Sequence, residues 1–219
     1  MTRNRQQQRR PFSAQYSSWI LWALAGFSCV FSAIATDDSP SSATRVIVPT
    51  EFLEACTQGN IDKVKEFLTE NPSWSNGSSP DGETCLHVAG IYGQTEVTRS
   101  LLQEYKADPN VRSTHDQGLR MHPLSWNVYA GNVDTAKVLL EHGALVNLDI
   151  DAPPNSPDKI ITSLDIVTTI LATETEGEEK PAMEPFRQMK SLLEAYDAKS
   201  YKDLIEQQRS EGDQSSHEL

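Results

Sequence analysis

The chain has 219 residues, a formal net charge of −12 and 37% hydrophobic residues. This length allows one domain of ordinary size together with additional segments. The hydrophobic fraction is below the roughly 45–50% of typical globular domains, although that benchmark also counts glycine, so we expect part of the chain to lie outside a packed core. The negative charge argues against nucleic acid and anionic lipid surfaces as partners, because both would repel the chain.

The first 35 residues are basic, then apolar, and end in small residues. They contain four arginines and no acidic residue. Residues 19–35, WILWALAGFSCVFSAIA, carry no charge and end in Ala33-Ile34-Ala35. A basic start, an apolar centre and an A-x-A end are typical of a secretory signal peptide, so we predict cleavage after Ala35. The uncharged run also approaches the length that spans a bilayer, which leaves a signal anchor as the alternative.

Three further features bear on the cellular compartment. Asn76-Gly77-Ser78 is an N-x-S sequon in a stretch rich in Gly, Ser and Pro, as a surface glycosylation site requires. The terminal Glu218-Leu219 matches the end of KDEL-type retention tails, and the alternative is an ordinary acidic tail. Cys29 would leave with the signal. Cys56 and Cys85 remain; we interpret them as two buried thiols, and a bridge between them would need an oxidising compartment.

Two sets of residues recur at the same intervals along the chain. Spacings of 34 and 38 residues separate both the glycines and the leucines of the set Gly59, Gly93, Gly131, Leu68, Leu102 and Leu140. Each glycine precedes a run of apolar residues at helical spacing, which indicates a unit of helix, glycine turn and helix. One such hairpin cannot bury its apolar face alone, but stacked copies can, which favours a solenoid.

The units also carry sequence motifs. Residues 81–89 read DGETCLHVA, and residues 139–147 read LLEHGALVN. They resemble the ankyrin-repeat patterns D-G-x-T-P-L-H-x-A and L-L-x-x-G-A-x-V-N, with Cys85 in place of the proline. ADPNV at 107–111 and TSLDIV at 162–167 are similar to the same patterns. The resemblance implies an all-α ankyrin-repeat solenoid of stacked helix-turn-helix units with extended turn fingers, in which His87 links neighbouring repeats by hydrogen bonds.

The resemblance and the composition together predict the organisation of the chain. A linker at 36–49 follows the signal peptide or signal anchor at 1–35. Repeats follow at about 50–79, 80–115, 116–147 and 160–198, then a capping helix at 199–209 and a disordered acidic tail at 210–219. The finger at 110–123, the loop at 147–163 and the acidic loop at 173–184 are longer than the ankyrin pattern requires.

The sequence contains no recognisable catalytic constellation. The five histidines do not pair with Cys or carboxylates at metal-binding spacing, and nucleophile-elbow, P-loop and dinucleotide motifs are absent. The adjacent pair His115-Asp116 is a poor candidate, because neighbouring side chains rarely face one site. The run Glu174, Glu176, Glu178 and Glu179 is more typical of a solvated loop than of a calcium site. We therefore predict no enzyme, no cofactor and no metal.

A binding surface is what the resemblance implies instead. Ankyrin repeats hold partners with their turn tips and the exposed sides of their first helices. By register, this predicts partner-binding residues on the helices and the preceding turn (Glu83, Ile91, Tyr92 and Tyr129) and on the long finger (Gln117, Leu119, Arg120 and Met121). Tyr, Met and Arg are enriched at interface centres. The alternative for the two tyrosines is packing between repeats, and Trp126 is assigned to the core.

The leading functional hypothesis is an adaptor in the secretory pathway, either lumenal in the endoplasmic reticulum or secreted. It would bind another protein, whose identity the sequence does not give. A single-pass membrane-anchored form of the same domain is the alternative, and membrane contact is expected only if residues 19–35 are retained. An enzyme with a site built on the long loops is the least favoured hypothesis.

Overall fold

The structure, a computed structural model, describes residues 45–114, 120–153, 156–174 and 181–217. Within them the chain forms four helix pairs and a further helix: α1 (Thr50–Gln58), α2 (Ile61–Glu70), α3 (Cys85–Ile91), α4 (Thr95–Gln103), α5 (Pro123–Ala130), α6 (Val133–Glu141), α7 (Ser163–Leu171), α8 (Glu184–Ala195) and α9 (Tyr201–His217). Short 3₁₀ helices cover Pro72–Asn76 and Pro181–Met183. Strands β1 (Ile150–Asp151) and β2 (Ile160–Ile161) pair antiparallel.

The helix pairs stack in two layers. The first helices α1, α3, α5 and α7 lie side by side, and the second helices α2, α4, α6 and α8 form the other layer. Both layers contribute fully buried apolar side chains to one core, among them Phe52, Leu86, Leu101 and Leu139. The all-α stack predicted from the sequence is confirmed, because each helix pair buries its apolar stripe against the next pair.

Glycine turns connect the two helices of each of the first three pairs, and the next repeat packs against them. Gly59, Gly93 and Gly131 have φ of 69°, 67° and 72°, the left-handed region that ends a helix without a Cβ clash. Gln94 Nε2 donates to the carbonyl oxygen of Thr57 at 2.7 Å. A Cβ on Gly59 would clash with Gln94 Oε1. The recurring glycine is therefore required by both backbone conformation and repeat packing.

His87 links repeats two and three, as the resemblance implies. The backbone N–H of Thr84 donates to Nδ1 at 3.1 Å, so Nε2 carries the proton and donates to the Met121 carbonyl oxygen at 3.1 Å. In repeat four, Asp165 takes the corresponding position. Its carboxylate accepts from the N–H groups of Thr162 at 2.8 Å and Tyr201 at 2.9 Å. The carboxylate thereby fixes the start of α7 and the start of α9 together.

An aromatic cluster closes the N-terminal end of the stack. The rings of Phe52, Phe67 and Trp74 lie 5.6–5.9 Å apart between centroids. The chain before α1 pairs with this repeat, since Val48 N–H donates to the Ser78 carbonyl oxygen at 3.0 Å. The C-terminal end of the predicted linker at 36–49 is therefore attached to repeat one.

Helix α9 is longer than the predicted capping helix at 199–209. It continues to His217, so residues 210–217 are helical where a disordered tail was expected. A side-chain hydrogen bond spans the start of this extension: Gln207 Nε2 donates to Glu211 Oε1, one turn ahead, at 2.8 Å. The terminal Glu218-Leu219 lies outside the described residues.

Candidate protein-binding surface

A disulfide joins repeats one and two. Cys56 in α1 and Cys85 at the start of α3 are fully buried, with Cα atoms 5.6 Å apart. The sequence interpretation correctly expected both cysteines to be buried, but it favoured free thiols, and this is wrong. Because α1 and α3 lie side by side, two residues 29 apart in the chain come within bonding reach.

The base of the long finger is held by the neighbouring repeats. The N–H of Ser113 donates to the Met121 carbonyl oxygen at 3.1 Å, and the N–H of Thr114 donates to the Asp81 carbonyl oxygen at 2.8 Å. Met121 is only 8% exposed and belongs to the core. Its prediction as a partner-binding tip residue is therefore corrected, since its side chain points inward just before α5. Gln117, Leu119 and the pair His115-Asp116 lie outside the described residues.

Arg120 connects the finger to the next loop. Its Nη2 lies 3.2 Å from Asp151 Oδ1, and its Nε contacts the other carboxylate oxygen of the same side chain. This bidentate hydrogen bond from Arg120 lowers the pKa of Asp151. Asp151 lies in the small β1–β2 hairpin, whose Ile150 is fully buried. The predicted partner-binding arginine thus has an internal ionic partner.

His122 is the residue preceding α5. Its Nδ1 donates to the Asn110 carbonyl oxygen at 2.9 Å, and its Nε2 lies 3.4 Å from Arg112 Nε. Arg112 also binds Asp149, with 2.8 Å between Nη2 and Oδ2. Burial lowers the pKa of His122, and the charge of Arg112 acts in the same direction. His122 is therefore a buried structural group at the base of the finger.

Four residues on or directly after the first helices form a second candidate surface. We call Val88, Ile91, Tyr92 and Tyr129 the tyrosine face. Tyr92, directly after α3, is 55% exposed, and the other three side chains are half-buried. The adjacent Glu83, on the turn before α3, is half-buried too. Partial burial is compatible with both roles considered for Tyr129, which packs against the core and still reaches the surface.

Register places acidic residues beside this face. Counted back from Gly59 and Gly93, Glu54 of α1 is equivalent to Val88 of α3, and both helices lie side by side. Glu51 and Glu54 are exposed. The first-helix layer therefore has apolar and aromatic groups in repeats two and three and carboxylates in repeat one.

Trp126, assigned to the core by sequence, packs against it as a half-buried residue. Its ring meets that of His87 edge-on, with centroids 5.8 Å apart. Its indole N–H is buried and has no hydrogen-bond partner among the described residues.

The findings on metal sites and membrane spans concern only the described residues. No group of three His, Cys, Asp or Glu side chains in this part of the chain could hold a metal ion. Glu174, from the acidic run, instead binds Arg187 at 2.7 Å across the loop. Within the same ranges no helix is long and apolar enough to cross a membrane. Residues 19–35 and the remaining acidic run are not among the described residues.

Residues 52–151 match the family model for ankyrin repeats in three copies. The fold is an ankyrin-repeat solenoid. The matched segment covers repeats one to three and the first strand of the hairpin, and the helical pairing of α7 with α8 continues the same architecture. Ankyrin repeats of this kind form a protein-interaction module.

Three relatives share the repeats within much longer chains. The chain is 32% identical over 99 residues to the transient receptor potential channel pyrexia of Drosophila melanogaster, which covers 39% of this chain and 10% of that protein. It is 33% identical over 99 residues to ankyrin repeat and SAM domain-containing protein 6 of Rattus norvegicus, and the match covers 45% of this chain and 11% of that protein. It is 34% identical over 62 residues to palmitoyltransferase AKR1 of Debaryomyces hansenii, and the match covers 27% of this chain and 8% of that protein. The chain spans about a tenth of the length of each.

Proposed function

We propose that this chain is an adaptor of the secretory pathway that binds a basic protein partner across the tyrosine face and acts by binding rather than catalysis. The observation that carries the proposal is the exposure of Tyr92, at 55%, directly after α3 of the first-helix layer. An exposed tyrosine with half-buried apolar neighbours has the composition of an interface centre.

The proposed compartment is supported by the cysteines and the N-terminal pattern together. A buried Cys56–Cys85 bridge forms and persists in oxidising compartments, whereas glutathione keeps cytosolic thiols reduced. The basic and apolar pattern of residues 1–35 is what directs a chain into such a compartment. The two features lie in separate parts of the chain, and a location in the secretory pathway accounts for both.

The proposed partner is basic because of the charge of the chain. Cleavage after Ala35 would leave 15 basic and 31 acidic residues, a formal charge of −16. Glu51 and Glu54 lie in the first-helix layer next to the tyrosine face. A partner segment would match this surface if it placed an apolar side chain against the tyrosine face and Lys or Arg next to Glu51 and Glu54. Its association rate would fall as salt is added.

Binding should be tested with Tyr92→Ala and a matched control, Leu145→Ala. Leu145 is 58% exposed, on the turn after α6. Partners would be collected by proximity labelling with the full chain in secretory cells, and the affinity of each for the purified variants would then be measured. We expect Tyr92→Ala to weaken the relevant complex by roughly tenfold or more and Leu145→Ala to leave it unchanged. Equal affinity for both variants would rule out the tyrosine face.

The membrane-anchored alternative is separated by the mature N-terminus. If the signal is cleaved after Ala35, mass spectrometry of the native protein should identify Thr36 as the first residue. Recovery of peptides from residues 19–35 in membrane-bound protein would favour the anchor. Failure of the chain to enter any secretory compartment would refute the proposal in both forms.

A further inference from the structure

A ladder of asparagine side chains runs along the turns that follow the second helices. Asn110 accepts from the N–H of Leu145 at 2.8 Å and donates from Nδ2 to the Gly143 carbonyl oxygen at 3.0 Å. The next member, Asn147, makes the same two bonds. Its Oδ1 accepts from the N–H of Lys199 at 2.7 Å, and its Nδ2 donates to the Asp197 carbonyl oxygen at 3.0 Å. Each of these amides therefore ties one repeat to the next through its oxygen and its nitrogen.

Asn76 occupies the same position in repeat one and makes half of this contact. Its Oδ1 accepts from the N–H of Asp108 at 2.7 Å. The equivalent second bond would reach the carbonyl of Lys106, which has a positive φ of 54° just as Gly143 has one of 91°. Within the described residues the Nδ2 of Asn76 donates no hydrogen bond, and the side chain is exposed. This nitrogen is thus available while the ladder contact is kept.

Ser78, two residues later, has a hydroxyl that the folded structure does not use. The residue is 3% exposed, and its Oγ is buried without a hydrogen-bond partner among the described residues. The backbone of Ser78 is fully paired with Val46 and Val48. A buried hydroxyl without a partner destabilises a fold, so alanine would serve the folded state at least as well. The hydroxyl is, however, the third element of the Asn76-Gly77-Ser78 sequon.

We propose that Asn76 carries an N-linked glycan, attached before repeats one and two close against each other. This inference rests on the proposed secretory function. In the reaction, Nδ2 of Asn76 bonds to the anomeric carbon of a lipid-linked oligosaccharide diphosphate, while the bond from that carbon to the diphosphate breaks. The lipid diphosphate leaves with the electron pair, and Nδ2 loses one proton to a base of the transferase. The hydroxyl of Ser78 serves this step in the extended chain and is then buried.

The test uses the full chain, expressed in eukaryotic cells with a reporter sequon appended after Leu219. Glycans are removed by an amidase in water enriched in heavy oxygen, so that each released site becomes a labelled aspartate in peptide mass spectrometry. Spontaneous deamidation at Asn76-Gly77 in the same water also introduces the label, so a parallel sample without the amidase gives the background that is subtracted. We expect label at residue 76 and at the reporter. The Ser78→Ala variant should lose the label at residue 76 alone, with its unfolding midpoint unchanged or raised.

Failure of the glycan proposal and failure of the secretory proposal give different results. A labelled reporter with no label at residue 76 would overturn the glycan and leave the secretory proposal intact. No label at either site would show that the chain never meets the transferase, which refutes the secretory proposal and the glycan together. The timing is tested by offering unglycosylated chain to the transferase in vitro. The unfolded, reduced chain should be modified, and equal modification of the folded chain would overturn attachment before folding.

Discussion

The Nε2 atom of His87 lies 3.1 Å from the carbonyl oxygen of Met121, one repeat further along the stack. The ring is completely buried, and this burial lowers the pKa of His87 to about 4. The hydrogen bond requires only the proton on Nε2, because Nδ1 accepts from Thr84. The neutral imidazole is therefore the form that the fold stabilises.

We expect the free energy of unfolding to fall as the solution is acidified below the ordinary histidine pKa of 6.5. The stabilisation by neutral His87 is complete above that value and is lost as the pH falls towards about 4, at a total cost of about 3 kcal/mol. Burial lowers the pKa of His122 as well, so it acts in the same direction. Urea unfolding at a series of pH values would measure the slope. In His87→Gln the slope above the range in which carboxylates titrate should shrink to the part due to His122, and an unchanged slope there would contradict the assignment.

Replacement of Met121 by alanine should destabilise the stack by about 2–5 kcal/mol, because it removes a buried side chain next to α5. The control is Leu145→Ala, at a residue 58% exposed, for which we expect a change within about 0.5 kcal/mol. Thermal or urea unfolding would separate the two. A small effect at Met121 would mean that its side chain lies on the exposed finger and not in the core.

Reduction of the Cys56–Cys85 bridge should lower the free energy of unfolding by about 3–4 kcal/mol, as expected for a closed loop of this length. Both sulfur atoms are buried, so a native sample should resist reductant until it opens. The measurement is the urea midpoint with and without dithiothreitol. The double variant Cys56→Ala, Cys85→Ala provides the control, and any response of its midpoint to reductant would show that the effect has another origin.

Gly93→Ala should destabilise the protein more than Gly143→Ala. Both glycines have positive φ, so each alanine incurs a left-handed backbone cost of about 1–2 kcal/mol. A Cβ at Gly93 would also lie 2.9 Å from Asn132 Oδ1, whereas one at Gly143 meets no atom within 4 Å. Asn132 Nδ2 donates to the Gly90 carbonyl oxygen at 2.7 Å, and we expect loss of this bond to add about 1 kcal/mol. Equal unfolding midpoints for the two variants would show that the amide contact contributes nothing.

The repeats were predictable because their determinants are local. Gly59 and Gly93 follow their helices with a positive φ, and apolar residues at helical spacing follow within the same unit. The role of His87 followed from the resemblance, since the residue lies at a fixed distance from the start of its helix. Such features recur in each repeat, so the sequence shows them more than once.

The missed features depend on residues that are distant in the chain. Arg120 and Asp151 are 31 residues apart and meet only because the loop after α6 forms a hairpin beside the finger. Met121 was predicted to lie on the exposed finger, but its side chain is buried, directly after Arg120, where φ is 39°. The Cys56–Cys85 bridge likewise depends on how two first helices lie side by side. None of these three relationships repeats along the sequence, so periodicity could not reveal them.

The bridge between α1 and α3 gives the solenoid one fixed end and one free end. Repeats one and two cannot part while the bond is intact, whereas α9 is attached through non-covalent contacts such as that of Tyr201 with Asp165. Each repeat of a solenoid is stabilised by its immediate neighbours, so opening that begins at α9 would travel back along the stack and stop at the crosslink. Hydrogen-exchange protection should therefore form a gradient that rises from the last repeat to the first. A single-molecule pulling trace would release the repeats in that order.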